Sequence, residues 1–294
     1  MTVAVNKLAN GTIELTITTP WTDIQSNYEQ VINEYVNEAE LPGFRKGKAP
    51  RNLVIEKLDK NKVYEEVLKR IVPKYYSEAI KQESITPVIP PKIEVINFKE
   101  NDVCQFKALT CEKPLVKLGD YQKGIIELKK NKANKIWVPG DEQKEKPDDQ
   151  AGKPAALPLE EIIKVLLETC QVNIPEILID DEINRMLSRL IDQTQKLGLT
   201  IEQYLSSQGK TSDIIRHEYH DQAIKSLSLE FILEAIADHE KIEVSDEEIN
   251  KLIEQTKDEK EKEALKSQKY YLAAILRQQK TLNQIQSTQT TVVT

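Results

Sequence analysis

A chain of 294 residues, 39% hydrophobic and 30% charged, is long enough for two domains and apolar enough for at least one real core. Its formal net charge of −7 argues against general nucleic-acid binding, so any polyanionic partner must meet a local basic patch. There is no apolar run long enough to span a bilayer, no basic and apolar leader, and no CxxC spacing among Cys104, Cys111 and Cys170, so a cytoplasmic protein with reduced thiols is expected.

Residues 2–18 alternate around Asn10-Gly11, with Ile13, Leu15 and Ile17 on one face. Asn-Gly suits a type I′ turn, in which both central residues take positive φ, so a hairpin is predicted. Thr19-Pro20 then reads as a cap followed by a helix-starting proline. Trp21, Ile24, Tyr28, Val31, Ile32, Tyr35, Val36 and Ala39 recur at helical spacing behind it. The decapeptide LPGFRKGKAP, 41–50, stops that helix with Pro42-Gly43, and Pro50 starts a short one over 51–59 using Leu53, Val54 and Leu58. A longer helix follows, with Val63, Val67, Leu68, Ile71, Val72, Tyr75, Tyr76, Ala79 and Ile80 on one side and Pro73 expected to bend it. Residues 92–99 and 103–110 read as two strands around Asn101-Asp102. Residues 1–120 are therefore expected to form an α+β domain, four strands with packed helices and an exposed helix-loop-helix tip.

Residues 121–158 are read as a flexible linker. Their bulk, KKNKANKIWVPGDEQKEKPDDQAGKPAALP, is proline, lysine and acid with no surviving period, and buries too little to offset chain entropy; Trp137 and Val138 are isolated apolar points within it. Residues 159–294 read as an elongated all-α domain without strands. Ile162, Val165 and Leu166 begin it, then Leu178, Ile179, Ile183, Met186, Leu187, Leu190 and Ile191. Gly198 closes that helix, Thr200 with Gln203 and Ser245 with Glu248 form capping boxes, and a long helix runs from about Asp213 to His239. A last amphipathic segment covers Tyr270–Ile285.

Chemistry concentrates in the decapeptide. Arg45, Lys46 and Lys48 can meet phosphate or acidic protein groups, Arg as a bidentate fork and Lys as a point charge. Phe44 reads either as an apolar anchor for a partner's groove or as a ring folded back onto its own core. Gly43 and Gly47 permit sharp turns. His217, Glu218 and His220 lie close on one helix, but a third metal ligand at a telling spacing is missing, and a solvated polar face is expected. The mixed-charge run at 256–266 reads the same way. No phosphate loop, dinucleotide fingerprint or GxSxG elbow is present, and no cofactor is expected.

The segments GFRKGKAP, VYEEVLKRIVPKYYSEAI, NIPEILIDDEINRML, EQYLSSQGKT, LEFILEAIADHEKIEVSDEEI and LRQQKTLNQI together resemble the bacterial trigger factor family of ribosome-associated chaperones. The resemblance covers most of the chain outside the linker. It implies an ATP-independent chaperone that docks through Gly43, Phe44, Arg45, Lys46, Gly47 and Lys48 on a large-subunit protein and rRNA near the exit tunnel. It also implies a helical domain that holds nascent or unfolded polypeptides, for which Met186, Leu190, Leu197, Tyr204 and Leu205 are the candidate contacts. Homodimer formation is left open. Family members usually carry a peptidyl-prolyl isomerase domain between the two parts, and this chain departs from them there. Such an isomerase lines an apolar pocket with aromatics, whereas Phe44, Phe98, Phe106 and Phe231 all lie outside 129–158, so no enzymatic activity is expected. A peptidyl-prolyl isomerase and a ribosome-independent helical assembly protein remain the alternatives.

Overall fold

The computed structural model describes residues 1–133, 157–256 and 259–287. The chain divides into two compact units, 1–113 with 175–181, and 114–174 with 182–294.

The first unit runs β1 (Thr2–Lys7), β2 (Thr12–Thr19), α1 (Trp21–Glu38), α2 (Arg51–Lys57), α3 (Lys60–Gln82), β3 (Lys92–Asn97) and β4 (Cys104–Cys111). The four strands form an antiparallel sheet in the order β1-β2-β4-β3. Register pairs Leu15 with Ala108 and Ile17 with Phe106. Because side chains alternate along a strand, these four share one face. Ile24 and Val31 of α1 and Val67 and Ile71 of α3 close over that face to make the core. Pro73 lies inside α3, as expected.

Three local readings change. Gly11 alone carries a positive φ in the first hairpin turn, where its N–H donates to Leu8 O at 3.1 Å, so the turn is not type I′. Thr19 is the buried last residue of β2 rather than a cap; Pro20 occupies the N-cap position. The short helix ends at Lys57, with Val54 buried and Leu53 facing solvent.

The second unit contains β5 (Val116–Lys117), α4 (Tyr121–Ala133), α5 (Leu159–Thr169), β6 (Gln171–Val172), α6 (Glu176–Lys196, whose first turns are counted with the first unit), α7 (Ile201–Ser207), α8 (Ser212–His239), α9 (Asp246–Gln255), α10 (Glu259–Ser267) and α11 (Lys269–Ser287). Both capping boxes form, Thr200 with Gln203 and Ser245 with Glu248. The main cluster joins Tyr121 and Ile125 of α4, Ile162 and Leu166 of α5, Ile232 and Ile236 of α8, and Ile285 of α11.

Two expectations are overturned here. Residues 121–133, expected to begin a linker, form α4 and help build the core. Gly124 lets α4 lie tightly on α5, since a Cβ there would stand 2.8 Å from Val165 Cγ1. Residues 134–156, with Trp137 and Val138, lie outside the described residues. The region expected to lack strands contains β6, which pairs with β5, a fifth strand in the stretch expected to hold four, with Val116 opposite Val172. All three cysteines are free and buried, and burial pushes the Cys104 and Cys111 thiols up to about 11.

Candidate functional site

The decapeptide forms the connection between α1 and α2. Helix α1 ends because Ala39 turns to extended backbone (ψ 131°), and Pro50 caps α2 from the same conformational region. Between them lie two consecutive turns. Phe44 N–H donates to Leu41 O at 3.0 Å, and Lys48 N–H donates to Arg45 O at 2.9 Å. Gly43 (φ +89°) and Gly47 (φ +70°) occupy the third positions of these turns, and a positive φ there marks type II geometry. Pro42 presets the second position of the first turn.

Phe44, between the turns, is 44% exposed and joins neither the core of the first unit nor its surrounding shell. Arg45, Lys46 and Lys48 are exposed beside it, while Ala49 is buried and anchors the loop's end. Lys46 sits 4.0 Å from Glu40, a solvent-exposed and therefore weak pair. Arg45 and Lys48 pair with no carboxylate among the described residues. The loop thus offers an apolar ring and three accessible cations in five consecutive positions.

The stem beneath the loop is braced. Arg51, the first residue of α2, is ion-paired with Glu29 of α1. Arg70 of α3 forks onto Glu34 of α1 at 2.9 and 2.6 Å and reaches Glu66 at 3.3 Å. The hydrogen bond from Arg70 holds the Glu34 carboxyl below the usual range.

The five helical-domain candidates separate. Leu190 (7% exposed) and Leu205 (6%) pack with Ile215 in a small cluster, with half-buried Tyr204 against it, so the two leucines are core. Their helical spacing marked an apolar face correctly, but α7 and α8 cover it. Met186 is half-buried and Leu197 is 71% exposed. Exposed apolar residues that the sequence reading did not single out as candidate contacts are Ile191, Leu199 and Ile214 in this region, and Tyr270 (95%), Tyr271 and Ile275 on α11. The Tyr270-Tyr271 doublet carried the available signal, because adjacent helical positions point about 100° apart and cannot share one narrow stripe. The His217 and His220 rings stack at 6.5 Å, and no metal-binding group of three ligands occurs among the described residues.

A family model described as bacterial trigger factor protein matches residues 1–137, and one described as the trigger factor C-terminus matches residues 151–287. The trigger factor of Carboxydothermus hydrogenoformans is 23% identical, covering 85% of this chain and 89% of that protein. That of Bacillus cytotoxicus is 22% identical over 84% and 88%. The first alignment extends over 380 positions, more than the 294 residues of this chain, so that relative carries residues with no counterpart here. A solved structure of the trigger factor chaperone, reported for promiscuous substrate recognition in folding and assembly, shares the fold with a TM-score of 0.62 at 14% identity. It covers 98% of this chain and 100% of that one.

Proposed function

As a member of the bacterial trigger factor family the chain has a chaperone role, and we propose that it docks at the ribosome through Gly43–Lys48 while its helical unit covers apolar segments of nascent chains. The observation that carries this reading is the exposed Phe44 flanked by exposed Arg45, Lys46 and Lys48. A partner presenting a shallow apolar groove beside phosphate or carboxylate would bury the ring and neutralise the cations together. In a net-acidic protein, such a patch also orients the encounter, since the rest of the surface is repelled by RNA.

The second half of the activity is transient cover. Leu197, Leu199, Ile191 and Ile214, with Tyr270, Tyr271 and Ile275, present separate apolar points on a polar surface. Scattered points of this kind accept many sequences and release them without ATP, because no single contact is strong. The two matching family models leave only residues 138–150 between them, which supports a member without the isomerase domain, acting in the cytoplasm by binding alone. The division of labour proposed follows the two compact units, docking by 1–113 with 175–181 and client binding by 114–174 with 182–294.

The test is a salt titration of the full chain pelleting with purified ribosomes. If three cations meet phosphates, log affinity falls with log salt at a slope of about −2 to −3. A flat salt response, or no pelleting at low salt, contradicts the docking reading.

A further inference from the structure

Gly43 and Gly47 look equivalent in sequence, each closing a type II turn, yet the structure treats them differently. A Cβ added to Gly43 would meet nothing within 4 Å. At Gly47 it would stand 2.5 Å from the backbone O of Asn37, closer than side chains pack. The Gly47 N–H also donates to Ala39 O at 3.0 Å. Gly47 therefore faces the C-terminal end of α1, inside the protein's own chain, and its bare backbone is what allows the loop to fold back that far.

Resting on the docking reading above, we propose that Gly47 is a positioning residue, a latch that fastens the loop to the last turn of α1 and fixes Phe44, Arg45 and Lys46 as one preformed docking surface. The geometry has two parts that act together. The hydrogen bond to Ala39 O satisfies a carbonyl that the helix end leaves unpaired. The φ of +70° at Gly47 turns the chain so that Lys48 heads back toward the buried Ala49. With the latch closed, the loop between Ala39 and Gly47 is a short closed segment, and its ring and cations need not be ordered on binding. With the latch open, the binding-competent arrangement becomes a minor population, and apparent affinity falls by that fraction.

The latch distinguishes the two glycines by experiment. In the full chain, Gly47→Ala should weaken ribosome binding by about tenfold or more. Gly43→Ala, strained in φ alone, should weaken it by clearly less than Gly47→Ala, which carries a similar φ strain and the clash besides. Asn37→Ala should bind like wild type, because the conflict is with the backbone oxygen and the Asn37 side chain is exposed. The salt slope of Gly47→Ala should equal that of wild type, since the bound state keeps every cation, whereas Arg45→Ala should reduce the slope by about one. Suppression of client aggregation without ribosomes should be unchanged by Gly47→Ala, while its melting temperature should fall by a few degrees, because opening a closed latch lowers folded-state stability by about the same factor as it lowers binding.

A measurement on wild type alone covers the case in which Gly47→Ala does not fold. Residue-resolved hydrogen exchange should show the Gly47 amide protected relative to the Lys46 amide in the free protein. Gly47→Ala binding within about twofold of wild type, Gly43→Ala losing as much as Gly47→Ala, or a Gly47 amide exchanging at the open-loop rate each overturns the latch. Triple alanine replacement of Phe44, Arg45 and Lys46 separates the two readings. If it abolishes binding while Gly47→Ala binds normally, docking stands and the latch falls; if it leaves binding intact, the docking reading falls and the latch with it.

Discussion

The loop at 39–50 and the region of α6 to α8 were both expected to carry function, and the structure treats their apolar residues in opposite ways. Phe44 stays outside the core because it lies between two hydrogen-bonded turns, where no helical period could bring it onto a buried face. Leu190 and Leu205 sit on helical stripes, and neighbouring helices cover them. Periodicity says which side of a helix is apolar and is silent on whether another element lies against it. A single bulky residue in a loop of glycine, proline and lysine has no stripe to join, and that makes its exposure readable.

The difference can be sharpened by substitutions, beginning with those expected to do most. Ile125→Ala removes a fully buried side chain from the large cluster of the second unit and should cost about 3–5 kcal/mol in urea unfolding. A loss near zero would return 121–133 to the status of a linker. Leu205→Ala, in a three-residue cluster that can collapse more readily, should cost about 2 kcal/mol and affect client protection only through stability. Leu197→Ser should do the reverse: stability within about 0.5 kcal/mol of wild type, with weaker suppression of aggregation of an unfolded client. If Leu205→Ala spared stability and Leu197→Ser reduced it, the division into core and contact would be wrong.

The smallest expected effect is in acid. Hydrogen bonds from Arg70 and from Lys280 hold the Glu34 and Glu248 carboxyls below their usual range. A depressed carboxyl contributes its stability above its unfolded pKa and loses it as pH falls through the lower folded value. Melting temperature should therefore decline below about pH 4.5, and Glu34→Gln should show a shallower acid decline than wild type. Both groups are solvent-exposed, so the difference should be modest, and an identical acid profile in the variant would remove the brace from Glu34.

Much of the fold was legible where the signal is local. Thr200 with Gln203 and Ser245 with Glu248 satisfy helix N–H groups within four residues, and both boxes form as read. The alternation of Ile13, Leu15 and Ile17 gave the buried face of β2. What escaped depended on distant partners or on competing composition. The ladder of β5 and β6 is two residues long and pairs segments far apart in sequence, too short for any period to register. Helix α4 ends in KKNKA and runs into a lysine- and proline-rich stretch, which masked Tyr121, Ile125 and Leu128 at helical spacing. Asn10-Gly11 marked a hairpin, but only glycine takes the positive φ, so the dipeptide located the turn without fixing its type. At the docking loop the residue types were legible, while the unequal roles of Gly43 and Gly47 required the position of the α1 backbone.

The exposed ring and cations of this loop are the proposed contact with the ribosome. Pelleting of wild type beside the Phe44→Ala/Arg45→Ala/Lys46→Ala variant, with circular dichroism of both, measures that directly. The variant should keep its secondary structure and its client protection and no longer pellet with ribosomes. A variant that pellets as well as wild type would overturn docking through this loop.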